Sequence, residues 1–262
     1  MKHLVVAIRR FAWLGAGILI TAGCTQLTPQ AKQALVDADR LYRSGQYGMA
    51  KQSLDGWLAR NDPAPESAEG YYLRGLCHLK MNSRAAGRAD LERGLDKTRR
   101  PDLKANASAT LGCMAFEDGQ FDRAAALLSQ AAQGLPAKPP LDVVLFRLGT
   151  AQQRIGQWAA SREAFSRLAT AVPRSPLILP ARRKLNWPHD HFSIQCGAFR
   201  TSDSAGKAVS DLRAKGFDAS PNADRSDGGL HRVYVGRYAT WADATGALSR
   251  VQAAGQQAVI VP

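Results

Sequence analysis

One spacing constrains this chain more than any other: a short pattern returns every 37 residues. Gly45-Gln46-Tyr47-x-x-Ala50 recurs as Gly119-Gln120-Phe121-x-x-Ala124 and as Gly156-Gln157-Trp158-x-x-Ser161. A weaker copy, Asn82-Ser83-Arg84-x-x-Gly87, fills the remaining slot. Upstream of each copy stands a small residue, Ala38, Gly75, Gly112 or Gly149; downstream stands a large one, Leu54, Leu91, Leu128 or Phe165. Columns that keep one period identify an array whose units bury their apolar faces against their neighbours. Each unit reads as two helices around a tight turn. The turn takes Gly or Asn because both tolerate positive φ. The small column lets the paired helices approach, and the large column fills the space beside it. Pro63, Pro101, Pro136 and Pro173 close the units, since proline cannot continue a helix.

Residues 31–174 resemble the tetratricopeptide repeat, on Leu111-Gly112, Leu148-Gly149, Tyr71, Phe165, Pro136 and Pro173. The unit here is longer than the usual one of about 34 residues, which implies longer loops. The second repeat departs most, with Arg84 in place of an aromatic residue and Gly87 in place of alanine. The resemblance implies an all-α solenoid of four repeats with a protein-binding groove lined by the first helix of each. Register places Tyr42, Arg43, Tyr72, Lys80, Phe116, Phe146 and Arg154 near that groove. The competing reading makes the aromatics inter-repeat core and the charges a solvated face. Residues 175–187, with Pro176, Pro180, Arg182, Arg183 and Lys184, read as a short capping helix and then a linker. A basic patch that touches membrane is the sharper alternative.

The N-terminus reads as an address. Lys2, Arg9 and Arg10 precede an apolar run from Phe11 to Ile20 that is short for a membrane span, followed by Thr21-Ala22-Gly23-Cys24. This resembles a bacterial lipobox, which implies cleavage after residue 23 and lipidation of Cys24. Thr21 stands where that pattern has a larger aliphatic residue. Thr25 resembles an outer-membrane rather than an inner-membrane address. The expected division is thus a signal peptide at 1–23, a repeat array with its cap at 24–187, and a third segment at 188–262.

Charge separates the segments. Lys and Arg number 35 against 22 Asp and Glu, and the excess sits almost wholly before residue 186. A basic balance attracts anionic polymers or lipids. No zinc finger or basic heptad region is present, so no nucleic-acid partner is expected. Cys77, Cys113 and Cys196 have no C-x-x-C spacing, and no metal or cofactor is expected. They read as small buried hydrophobes, with a Cys77–Cys113 pair left open. His3, His78, His189, His191 and His231 occupy no H-E-x-x-H or triad-like setting, and no glycine loop cradles phosphate, so an enzyme is not expected.

From His191 the apolar period changes from helical to two. Phe192, Ile194, Cys196 and Ala198 alternate with Ser193, Gln195 and Gly197, which predicts a half-buried strand. A helix follows over Thr201–Lys215, then a short strand over Asp218–Asn222. Asp227-Gly228-Gly229 reads as a hairpin turn, and a strand over Leu230–Tyr238, a helix over Thr240–Ala254 and a strand over Gln257–Val261 complete the order. The βαββαβ order implies a small α+β, ferredoxin-like domain with helices on one face of an antiparallel sheet. The halves echo each other in Gln195-Cys196-Gly197-Ala198-Phe199 and Tyr234-Val235-Gly236-Arg237-Tyr238.

Residues 190–262 resemble the SPOR domain, the sporulation-related repeat, on Ile194-Gln195-Cys196-Gly197-Ala198-Phe199, Lys215-Gly216-Phe217 and Arg232-Val233-Tyr234-Val235-Gly236. The resemblance implies binding of peptidoglycan glycan strands stripped of stem peptides, which gather at division septa. The residue chemistry suits such a ligand. Ser193, Gln195, Arg232 and Tyr234 project to the face away from the helices if the alternation holds. Gln195 both donates and accepts, Tyr234 adds a ring face, and Arg232 matches a carboxylate. Gly197 is expected to leave room for close approach. The resulting expectation is a lipid-anchored, non-catalytic adaptor that holds a protein partner at septal wall. The alternatives are an envelope-assembly or secretion accessory that uses the domain only for attachment, and an activator of a wall hydrolase.

Overall fold

The computed structural model describes residues 27–222 and 229–261. The export signal, Cys24, Thr25, and Asp227 and Gly228 of the expected hairpin turn lie outside the described residues. Four helix pairs come first: α1 (Pro29–Arg43) with α2 (Tyr47–Asn61), α3 (Ser67–Lys80) with α4 (Arg84–Lys97), α5 (Pro101–Glu117) with α6 (Phe121–Gly134), and α7 (Leu141–Arg154) with α8 (Trp158–Ala171). The residue at each intra-pair turn holds positive φ: +80° at Gly45, 61° at Asn82, +73° at Gly119 and +80° at Gly156. This is the left-handed conformation that ends helices and that side chains other than Asn resist.

The two columns meet inside each pair. A Cβ on Gly75, Gly112 or Gly149 would stand within 3 Å of Leu91, Leu128 or Phe165 respectively. Leu54, Leu91, Leu128 and Phe165 are fully buried. The small residue is therefore a steric requirement of the large one opposite. Pro101 opens α5 at its first turn rather than closing the unit before it. The cap is α9 (Ile178–Leu185), which buries Ala181 against the last repeat. Cys77, Cys113 and Cys196 are free thiols, and Cys77 and Cys113 do not pair.

The C-terminal unit runs β1 (Phe192–Phe199), α10 (Ser202–Ala214), β2 (Ala219–Asn222), β3 (His231–Tyr238), α11 (Trp241–Ala253) and β4 (Val259–Val261). The sheet is antiparallel in the order β2-β3-β1-β4. Each helix begins at a threonine whose hydroxyl accepts from a backbone N–H three residues on, Thr201 from Ser204 and Thr240 from Asp243. Ala205, Val209 and Leu212 of α10 and Ala247 and Val251 of α11 share one core with Ile194, Ala219, Val233 and Val235. Both helices thus lie on one face of the sheet, and the other face has no helical cover among the described residues.

The segment after the capping helix takes part in a docked junction. Trp158 at the start of α8, Phe192 and Ala244 form a buried cluster with Trp187, Tyr238, Trp241 and Ile260 around it. The Trp158 and Phe192 ring centroids are 4.9 Å apart, and Trp158 Nε1–H donates to the Ala239 carbonyl at 3.1 Å. Arg162 of α8 grips both oxygens of Asp190, at 2.5 and 3.0 Å. The turn at Gly156 comes close enough to Ala239 that a Cβ there would stand 3.2 Å from its carbonyl. Trp158, the Trp187–Phe192 segment and Trp241 are far apart in sequence, so no local pattern announces their meeting.

Candidate glycan-binding face and repeat groove

The uncovered sheet face is built by register. Tyr234 pairs with Gln195 across β3 and β1, Ser220 of β2 pairs with Tyr234, and Gln195 pairs with Val259 of β4. Ser220, Tyr234, Gln195 and Val259 therefore form one row across all four strands. Val233 and Val235 are buried beneath the helices, so Arg232 and Tyr234 alternate to the open face. Val259 is 58% exposed there, an apolar side chain next to Gln195 on the side away from Tyr234. Amide, phenol and apolar patch in one row can grip both the polar substituents and the C–H face of a sugar. Val259 and Ser220 were absent from the sequence expectation, because only the cross-strand register puts Val259 beside Gln195 and Ser220 beside Tyr234.

Ser193 lies on this face with its hydroxyl engaged: Oγ donates to the Gly236 carbonyl at 2.9 Å. Gly236 has φ +67° and marks a bulge in β3, so Ser193 also fixes the strand at that irregularity.

Gly197 corrects the expectation. Gln195 pairs with Tyr234 and Gly197 with Val233, so Cys196 is an extra residue in β1. Beyond it the alternation shifts: Ala198 is exposed and registers with Arg232, instead of lying with Ile194 in the core. Gly197 registers with buried Val233, and the space a Cβ would take is filled by the Phe199 ring, 2.8 Å away. It leaves no room for a ligand. Gly236 has the same arrangement, with Tyr238 over it. The echo between the two halves is thus a packing device in which an aromatic ring covers a glycine two residues earlier.

The groove of the repeats holds two cavities. One, of about 460 Å³, is lined by α1, α3 and α5, including Tyr42, Arg43, Tyr72 and Leu76. Burial pushes the Tyr72 phenol up to about 12, so it stays neutral. The other, of about 410 Å³, includes Leu79, Thr110, Cys113, Met114 and Val143. Burial also pushes the Cys113 thiol up, which disfavours the nucleophilic thiolate.

Four of the residues expected near the groove line neither cavity. Lys80 is exposed at the end of α3. Phe116 packs edge-on against Phe121, with ring centroids 5.6 Å apart, and Phe146 against Phe165 at 5.8 Å. Each ring turns toward the second helix of its own repeat. Arg154 belongs to the docked junction: its guanidinium lies 4.7 Å from the Phe121 centroid and 4.0 Å from that of Trp241. Burial there lowers its pKa.

Residues 188–262 match the SPOR domain family, and residues 143–175 match the tetratricopeptide repeat. The chain therefore joins tetratricopeptide repeats to a C-terminal SPOR domain. Both are binding modules, for peptidoglycan and for protein partners respectively, and a SPOR domain goes with a location at the cell wall in the envelope. No curated protein matches. Among solved structures, the chain is similar to MamA of AMB-1, at 20% identity over 60% of this chain and 90% of that one, with a TM-score of 0.46. It is similar to MamA from Desulfovibrio magneticus RS-1, at 19% identity over 61% and 84%, with a TM-score of 0.48. YrrB, described as a TPR protein with an unusual peptide-binding site, matches at 15% identity over 59% and 74%, with a TM-score of 0.49.

Proposed function

We propose that this protein is a non-catalytic adaptor of the bacterial envelope. Its open sheet face binds denuded glycan strands at the division septum, and its repeat groove holds a protein partner there. The row Ser220–Tyr234–Gln195–Val259, with Arg232 beside it, carries the reading. It is an uncovered face of amide, phenol, guanidinium and apolar groups on a domain of a peptidoglycan-binding family. Lipidation of Cys24, with retention in the outer membrane, completes the proposal. Only Thr25 and Gln26 separate that cysteine from Leu27, which is already buried at the start of the first repeat, so the anchor would hold the array close to the bilayer.

The test is a pull-down of the full chain on peptidoglycan with and without prior amidase removal of stem peptides, beside a Gln195→Ala, Arg232→Ala variant. The expected result is binding to treated wall alone, weakened at least tenfold in the variant if each lost polar contact is worth about 1 kcal/mol or more. Equal or absent binding to both walls overturns the glycan reading. Loss of an assembled surface structure on deletion, with normal septa, would move the role from division to envelope assembly.

A further inference from the structure

The open face continues past the glycan row toward the repeats. Alternation along β1 carries Gln195 and Ser193 back to His191, on the side opposite buried Phe192. The His189 and His191 rings lie 5.0 Å apart, and Trp187 stacks edge-on behind His189 at 6.0 Å. Arg237 of β3 is exposed and near enough for its charge to act on His191. The one carboxylate in the group, Asp190, is held at both oxygens by Arg162 of α8. Among the described residues, Arg237 has no acidic partner and neither imidazole makes a hydrogen bond. No group of three potential ligands gathers there for a metal ion, again among the described residues. What remains is a preassembled cluster of two imidazoles and a guanidinium whose local anion is already occupied.

The geometry points to a carboxylate-binding subsite at His189, His191 and Arg237 that engages the lactyl carboxylate of a glycan strand lying on the open face and takes up protons as it does so. This inference rests on the proposed glycan reading and adds to it the group recognised and the pH dependence. The charges that act on His191 are those of His189, Arg237 and Asp190, the last of them paired with Arg162. Burial, then the neighbouring His189 and Arg237, hold His191 below the ordinary histidine value, against the opposing pull of Asp190. The free face therefore resists protonation. A bound carboxylate reverses that balance, because it accepts charge-assisted hydrogen bonds from the imidazolium and offsets Arg237. Bound protein carries more protons than free protein, so affinity rises as pH falls through the histidine range.

The experiment measures binding of the full chain to soluble amidase-treated glycan strands, and to the same strands after chemical reduction of the lactyl carboxylates to alcohols. With untreated carboxylates the expectation is about threefold to tenfold tighter binding at about pH 5.5 than at about pH 7.5, the range one shifted histidine can supply. Reduced strands should still bind, through the glycan row, without that gain. The His189→Gln, His191→Gln variant should behave on native strands as the wild type does on reduced ones. An equal pH gain on reduced strands, or no gain on native strands, overturns the subsite while the glycan reading stands. Absence of binding to either strand overturns both. The reduced-strand arm uses wild-type protein, so the result does not depend on the variant folding.

Discussion

Arg74 ties three helices of the first two repeats together. Its Nε and Nη2 donate to the two oxygens of Asp90 on α4 at 2.7 Å each, and its Nη1 donates to Asp55 on α2 at 2.9 Å. Asp90 is only 6% exposed. A buried carboxylate with a bidentate guanidinium is strongly asymmetric: removal of one partner strands the other charge away from water. Arg74→Met, which leaves the buried Asp90 carboxylate without its guanidinium, is therefore expected to cost about 3–5 kcal/mol, read from urea-induced unfolding. The double variant Arg74→Met, Asp90→Leu should lose much less, since no charge remains to be stranded. A single variant within 1 kcal/mol of wild type would show that solvent relaxes into the site. None of this was legible in the sequence. Arg74 and Asp90 are 16 residues apart and fit the reading of a solvated charged face, and only the packing of α3 on α4 closes them into a buried pair.

At the scale of the element, the turns and columns were legible because their cause is local. Positive φ selects Gly or Asn at the residue itself, and close helix approach selects a small side chain at a fixed distance in sequence. Asn82 is the one non-glycine described at positive φ, at 61°. Asn82→Ala is expected to lower stability by about 1–2 kcal/mol, the cost of a left-handed alanine, whereas Asn82→Gly should stay near wild type; thermal melts of both variants check this. Equal loss in both would assign the role to the amide instead of the backbone. The bulge at Cys196 was not legible, for the opposite reason. Apolar residues at 192, 194, 196 and 198 satisfy the alternation whether or not β1 carries an extra residue. Pairing with β3 decides the matter, and it moves Ala198 to the open face and Gly197 beneath Phe199. A similar limit applied to the candidate site: Gln195, Tyr234 and Arg232 could be placed by alternation along their own strands, while Val259 and Ser220 joined the row only through cross-strand register.

At the scale of the whole molecule, the question is whether glycan face and repeat groove move independently. Modules within one chain usually do, unless an extensive apolar interface joins them. Here Trp158, Phe192, Trp187 and Trp241 close over one another, Arg154 is sandwiched between Phe121 and Trp241, and Arg162 holds Asp190. Trp158 is the centre of this contact, since it belongs to the last repeat yet buries its ring on Phe192 of β1 and gives its indole N–H to Ala239. Trp158→Ala removes the ring and leaves a cavity, a change that costs about 3–5 kcal/mol at a well-packed site. That loss falls on the junction, because the helix pair of the last repeat keeps Phe165 and its small partner Gly149. The expected outcome is one calorimetric transition in the wild type and two in the variant, as repeats and C-terminal domain unfold separately. Small-angle scattering should show a larger radius of gyration for the variant under native conditions. A single transition and unchanged scattering would mean that Arg162–Asp190 and the α9 connection suffice to hold the modules. If the modules do separate, glycan affinity should survive while any partner bound in the groove loses its fixed orientation to the wall. That outcome would make the aromatic junction, not the sheet face, the part of the molecule that turns wall binding into placement of a partner.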